Sequence, residues 1–133
     1  MPTNKPRAGR NRTITFQPGE QEAFTGQLLQ VNGELHTSEV LDQVVLGDLF
    51  AVLDHLPPAF VDLLFVDPPY NMDKVFGEER FKEMSDVRYA EWLDAWIGKC
   101  VRLLKPDASV YICGDWKCSS AIQRVAEKYF TVR

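Results

Sequence analysis

The chain has 133 residues, 15 Lys and Arg against 19 Asp and Glu, and a formal net charge of −4. This is the length of one globular domain rather than two, and 45% apolar with 26% charged side chains excludes wholesale disorder. No apolar run approaches the ~18–20 residues of a membrane helix, and no secretory signal is expected from the polar N-terminus. Three cysteines (Cys100, Cys113, Cys118) and two scattered histidines (His36, His55) have no metal-site spacing, so reduced thiols and a cytoplasmic location are expected.

Residues 1–12 carry Lys5, Arg7, Arg10 and Arg12 and no carboxylate, which leaves 11 basic against 19 acidic side chains in the remainder, a net of −8. They read as a basic, flexible arm, mainly a solvated tail, with the charge to touch a phosphate backbone. Residues 13–42 read as an N-terminal extension with short strand-like pieces at 13–16 and 27–31, divided by Pro18-Gly19 and closed by the Asn32-Gly33 turn. From residue 43 the pattern becomes regular. Gln43–Leu46 is a short strand closed by Gly47-Asp48, and the apolar positions 49, 52, 53 and 56 predict a helix that Pro57-Pro58 ends. Phe60–Val66 is almost wholly apolar and predicts a strand buried on both faces.

The clearest helix is predicted over 86–104, where Tyr89, Leu93, Trp96, Ile97, Cys100, Val101 and Leu104 form one stripe before Lys105-Pro106-Asp107 stops it. Trp92 and Trp96 are expected in the core. Ser109–Cys113 predicts the next buried strand, closed by Gly114-Asp115. A last helix carries Cys118, Ile122, Val125, Ala126 and Tyr129 on one face, and a strand is expected to begin at Phe130–Arg133. Strands alternating with helices give an α/β class with a parallel sheet.

In such a sheet, ligands sit beyond the carboxyl ends of the strands. Three strand ends qualify: Gly47-Asp48, Asp67-Pro68-Pro69-Tyr70-Asn71 and Gly114-Asp115-Trp116. In the middle one, two prolines fix two φ angles and remove two N–H donors. What remains is a stiff loop presenting acceptors, the Asp67 carboxylate and the Pro68 carbonyl, beside the Tyr70 ring. A rigid acceptor pair beside a stacking platform suits a planar group bearing an amino function. A plain Pro-Pro loop with Asp67 capping a helix would leave the position, the acid and the ring unexplained together. Asp48 has two open readings, helix cap or ligand contact. At the third strand end, Asp115-Trp116 has two readings, lining the pocket or, as expected, a satisfied turn Asp115 with a half-buried Trp116, and Asp62 reads as an acid at the edge of the core.

Asp67-Pro68-Pro69-Tyr70-Asn71 resembles the catalytic motif of the amino-methylating DNA methyltransferases, which modify adenine N6 or cytosine N4. Leu46-Gly47-Asp48, Leu53, Leu56-Pro57 and Val61–Val66 before the motif resemble the permuted (beta-type) group, in which the catalytic portion is N-terminal. Tyr89, Trp92 and Arg102-Leu103-Leu104-Lys105-Pro106 also resemble that group, so the likeness covers residues 43–116. It implies part of a Rossmann-like S-adenosylmethionine methyltransferase fold, an incomplete parallel sheet with helices on both faces.

It further implies double-stranded DNA as partner, as in restriction–modification systems, and a base extruded from the duplex. Asp67 and the Pro68 carbonyl would accept the amino hydrogens, and Tyr70 would stack on the base. Asn71 would order the loop or touch the substrate. S-adenosylmethionine would be the cofactor, its adenine held by Asp48 with Leu49 beside the ring; no metal is implied. Asp at the motif's first position leans toward adenine N6, with cytosine N4 the alternative.

The eight glycines include no Gly-x-Gly pair, so the family's glycine-rich cofactor loop and the ribose acid that follows it are missing from residues 43–133. The expectation is the catalytic half of a methyltransferase domain, a fragment or one part of a split enzyme. It would need a complementary C-terminal polypeptide or a homodimer. Two further readings stand beside it: a methyltransferase acting on RNA or on a protein glutamine amide, and a catalytically inactive DNA- or partner-binding remnant.

Overall fold

The computed structural model describes residues 16–76 and 79–133; the basic arm at 1–12 and the strand-like piece at 13–15 lie outside them. The element order is α1 (Glu20–Thr25), β1 (Leu29–Gln30), α2 (Thr37–Val40), β2 (Val45–Leu46), α3 (Leu49–Leu53), β3 (Val61–Val66), β4 (Lys74–Phe76), β5 (Glu79–Phe81), α4 (Asp86–Cys100), β6 (Leu104–Ile112) and α5 (Ser119–Ala126). A single 3₁₀ turn, Val101–Leu103, joins α4 to β6.

The centre of the molecule is α4. The Ser85 hydroxyl caps it by accepting from the Arg88 N–H at 3.4 Å. Its stripe of Tyr89, Leu93, Trp96, Ile97 and Cys100 is buried, as the spacing predicts. Leu53 of α3, and Cys118, Ala121, Ile122 and Val125 of the α5 segment, close around it. Gly98 has a specific reason to be mid-helix: a Cβ there would lie 2.9 Å from the Tyr129 hydroxyl. That hydroxyl instead passes over α4 and donates to Asp94 at 2.9 Å.

β3 and β6 pair in parallel, with Leu63 opposite Ser109, Phe65 opposite Tyr111 and Val66 opposite Ile112. The predicted loop at Lys105-Pro106-Asp107 is instead a bulge inside β6. Val61 faces Leu104 but Leu63 faces Ser109, so five steps on one strand match two on the other. A bulge needs no ladder donor, which is why Pro106 is tolerated within the strand.

Three sequence expectations change here. First, beside the two parallel pairs expected of an incomplete sheet, β1–β2 and β3–β6, the described strands include an antiparallel pair, β4–β5. β2 and β3, whose ends carry Asp48 and Asp67, share no ladder. Second, neither β3 nor β6 is buried on both faces, and helices do not cover both. Val61, Leu64, Val66 and Ile112 pack on the helical core, whereas Leu63, Phe65 and Tyr111 are 57%, 65% and 59% exposed. The period-2 alternation of a strand sends every second side chain to the uncovered face. Third, Phe130–Arg133 forms no strand, because no partner strand lies there to take up its backbone groups.

Candidate functional site

The loop Asp67–Asn71 leaves the carboxyl end of β3, and the turn Gly114–Cys118 leaves the same end of β6. The ladder continues just past both strands, with the Cys113 N–H donating to the Val66 carbonyl at 2.8 Å. The two loops therefore emerge side by side. Their stiffness follows from the sequence on one side and from side-chain bonds on the other.

Pro68 is buried and Pro69 half-buried, while Asp67 is exposed at the mouth of the loop. The buried Tyr89 of α4 reaches across 20 positions and donates its hydroxyl to the Pro69 carbonyl at 2.9 Å. Asn71 is held at both ends of its amide: Nδ2 donates to the Met84 carbonyl and Oδ1 accepts from the Met84 N–H, each at 2.8 Å. With φ already set at two prolines, these three bonds leave the peptide between Pro68 and Tyr70 little freedom. Of the two roles open to Asn71, ordering the loop is what its contacts accomplish.

Asp67 and Tyr70 are brought together. The Asp67 carboxylate near the phenol, with some desolvation, raises the Tyr70 pKa above its ordinary 10.0. The half-buried Tyr70 also packs against the helical core, so one side of the ring is supported by protein. The Cys113 and Cys118 thiols lie close enough to act on it electrostatically.

The neighbouring turn is held by side-chain bonds. Asp115 Oδ1 accepts from the N–H groups of Lys117 at 3.0 Å and Cys118 at 2.9 Å, and the Ser119 hydroxyl donates to the Trp116 carbonyl at 2.9 Å. The N–H groups of Cys118 and Lys117 and the Cys118 thiol hold the Asp115 carboxyl below the usual carboxylate range. Asp115 is the satisfied turn acid that the sequence suggests. Trp116 corrects the expectation of a half-buried ring: it is 82% exposed. Burial raises the Cys118 thiol, with Asp115 adding to the shift. Cys118 and Tyr89 lie in the same buried cluster, so both loops rest on the helical core. Sequence reading places Tyr89 in the core stripe and misses its bond to the Pro69 carbonyl; the only signal is a hydroxyl-bearing ring amid aliphatic positions.

Asp48 and Leu49 lie at the end of β2, in a different ribbon. Asp48 Oδ1 accepts from the Ala51 N–H at 3.2 Å, the bond of a helix N-cap. The cap reading is thus realised, while the carboxylate remains exposed and Leu49 is 44% exposed beside it. Asp62 is exposed and ion-paired to Lys105 at 2.7 Å rather than set against the core. Trp96 is in the core as expected, and the half-buried Trp92 packs against it. Two clefts, of about 680 and 1060 Å³, are lined by residues 80–88 and by β6 with α5 and the C-terminal residues. Among the described residues, no group of three or more His, Cys, Asp or Glu could hold a metal ion.

Residues 61–132 match the family model described as DNA methylase, which is more than half of the chain. The chain belongs to the DNA methylase family. Its relatives include the type II methyltransferase M.BamHI of Bacillus amyloliquefaciens, 38% identical over 66 residues, 50% of this chain and 16% of the relative. The DNA adenine methyltransferase YhdJ of Escherichia coli (strain K12) is 37% identical over 92 residues, 68% of this chain and 30% of the relative. The type II methyltransferase M.HpaI of Haemophilus parainfluenzae is 30% identical over 89 residues, 66% of this chain and 28% of the relative. The chain thus spans less than a third of the length of each of these DNA methylase relatives. The family match begins at the first residue of β3 and runs through both loops and α5.

Proposed function

We propose that this chain is the catalytic portion of a DNA amino-methyltransferase, with adenine N6 as the target. The observation that carries the reading is the anchored loop. Asp67 is exposed at a strand end next to Tyr70, on a Pro-Pro backbone held by Tyr89 and Asn71. One of the relatives carries an adenine methyltransferase name, which favours adenine over cytosine.

An exocyclic amino nitrogen is a poor nucleophile because its lone pair is delocalised into the ring. The Asp67 carboxylate and the Pro68 carbonyl accept its two hydrogens as the nitrogen becomes tetrahedral. They thereby favour the transition state over the planar ground state. Tyr70, braced by the core on one side, offers a stacking face to the extruded base; such stacking is worth about 1–3 kcal/mol. Asn71 keeps the loop from relaxing, so the acceptors need no reorganisation when the base arrives.

S-adenosylmethionine, when bound, supplies an electrophilic sulfonium methyl. Asp48 fits the adenine end of that cofactor. One of its oxygens is committed to the cap, but its carboxylate stays exposed beside an exposed Leu49. No Gly-x-Gly pair occurs in the sequence, so the rest of the cofactor site would come from a complementary polypeptide or a further segment.

The test is transfer of tritiated methyl groups to mixed-sequence DNA by the polypeptide that unites residues 1–133 with the glycine-rich half, followed by nucleoside chromatography. N6-methyladenine is the expected product. Asp67→Ala is expected to abolish transfer while leaving DNA binding largely intact; unchanged transfer would overturn the role of Asp67. The 133-residue chain alone is expected to be inactive, and robust turnover by it would refute the half-enzyme reading.

A further inference from the structure

Trp116 is the most exposed large hydrophobic side chain among the described residues, at 82%. A solvated indole is unfavourable. Yet the turn that carries it is among the most heavily bonded segments of the chain. Asp115 Oδ1 takes the N–H groups of Lys117 and Cys118, Ser119 takes the Trp116 carbonyl, and the Asp115 N–H donates to Cys118 Sγ at 3.2 Å. The ring is therefore displayed outward from a rigid base.

Its one recorded ring contact is the Lys117 ammonium, 5.7 Å from the ring centroid. The turn leaves the same strand end as the Asp67 loop, where the Cys113 N–H donates to the Val66 carbonyl at 2.8 Å. An exposed ring, an ammonium and a rigid mount on the rim of the loop form a recognisable combination. The face of the indole suits the π-surface of a nucleobase, and the adjacent cation suits the phosphate joined to it.

We propose that Trp116 stacks on a nucleobase flanking the modified one, with Lys117 meeting the neighbouring phosphate. The strand would then be gripped at two points, Tyr70 and Trp116. This rests on the DNA reading above and adds to it a contact outside the base-accepting loop.

The experiment titrates the purified 133-residue chain with a short oligodeoxyadenylate and with a mixed-sequence duplex, following anisotropy of the labelled nucleic acid and tryptophan emission. Trp96 is buried and Trp92 half-buried, so quenching on binding reports chiefly on Trp116. Trp116→Ala is expected to weaken binding about 10-fold and remove most of the quenching, while Trp116→Phe retains most of the affinity. Lys117→Ala is expected to weaken binding and reduce the salt slope by about one. Both side chains are exposed, so neither change should disturb the far-ultraviolet circular dichroism.

Equal affinity of wild type and Trp116→Ala overturns this proposal and leaves the role of Asp67 standing. So does unchanged nucleic-acid binding accompanied by loss of self-association in sedimentation, which would assign the ring to a second copy. If the wild type binds neither oligonucleotide, the contact proposed here is wrong for this chain, while methyl transfer by the united polypeptide judges the DNA reading separately.

Discussion

Asp67 is only as useful as the backbone that carries it. Proline fixes φ at two positions, but the ψ angles between them are free unless something outside the loop holds a carbonyl. Tyr89 does so, and its own hydroxyl is kept protonated well above the ordinary tyrosine value by burial and by the Cys118 thiol beside it. Tyr89→Phe keeps the ring and deletes the one donor that the Pro69 carbonyl receives from α4. We expect a loss of about 1–2 kcal/mol, because a largely buried acceptor is left without its partner; urea titration of both proteins measures it. The carboxylate–proline–ring cluster was legible from residue types alone. Tyr89 was not, because helical spacing says which face a residue occupies and nothing about where its terminal oxygen ends. Trp116 was misjudged for a related reason: local turn chemistry, not hydrophobicity, decides whether a ring in a bonded turn can fold inward.

The elements were legible where periodicity runs long. The stripe over fifteen residues of α4 is unambiguous, and Leu93 at its middle has no exposed surface. Leu93→Ala is expected to cost about 2–5 kcal/mol, since the surrounding helices and strands cannot close fully on the missing volume. A denaturant midpoint shifted at unchanged slope is the measurement. The strands were harder to read. An apolar run such as Phe60–Val66 looks the same whether both faces or one face will be covered, and coverage depends on elements that are far away in the sequence. The bulge around Pro106 was equally hidden: a proline between helix and strand signals a break, whereas here the break lies inside the ladder.

Across the whole molecule, acid and alkali should act through two separate sets of side chains. Asp54, Asp94 and Asp115 are held below their ordinary 3.8, first by Lys99, by Lys128 and by the Cys118 N–H respectively. Depressed carboxyls contribute stability that is present above pH 3.8 and fades as the pH falls through their lower folded values. Tyr70, Tyr89 and Tyr129 are raised above 10.0, the first by Asp67, the second by burial and the third by Asp94. Their contribution is complete below pH 10 and is lost as the pH climbs through the raised values. Thermal melts across the pH range should therefore show a broad plateau with a fall at each end. Tyrosinate absorbance should lag the unfolded chain in alkali, and a midpoint for all four tyrosines near 10 would contradict this. The family, the helical core and the incompleteness of the parallel sheet were readable from one sequence, but the antiparallel pair β4–β5 was not, since strand pairing is set by which strands are present to pair. The bare side of the central ribbon has a practical outcome. Phe65 and Tyr111 lie with their rings 6.4 Å apart beside Leu63, all in water. A greasy strip on an otherwise folded protein should make anilinonaphthalene sulfonate fluoresce at neutral pH, and replacing Phe65 and Tyr111 by lysine should darken the dye without melting α4.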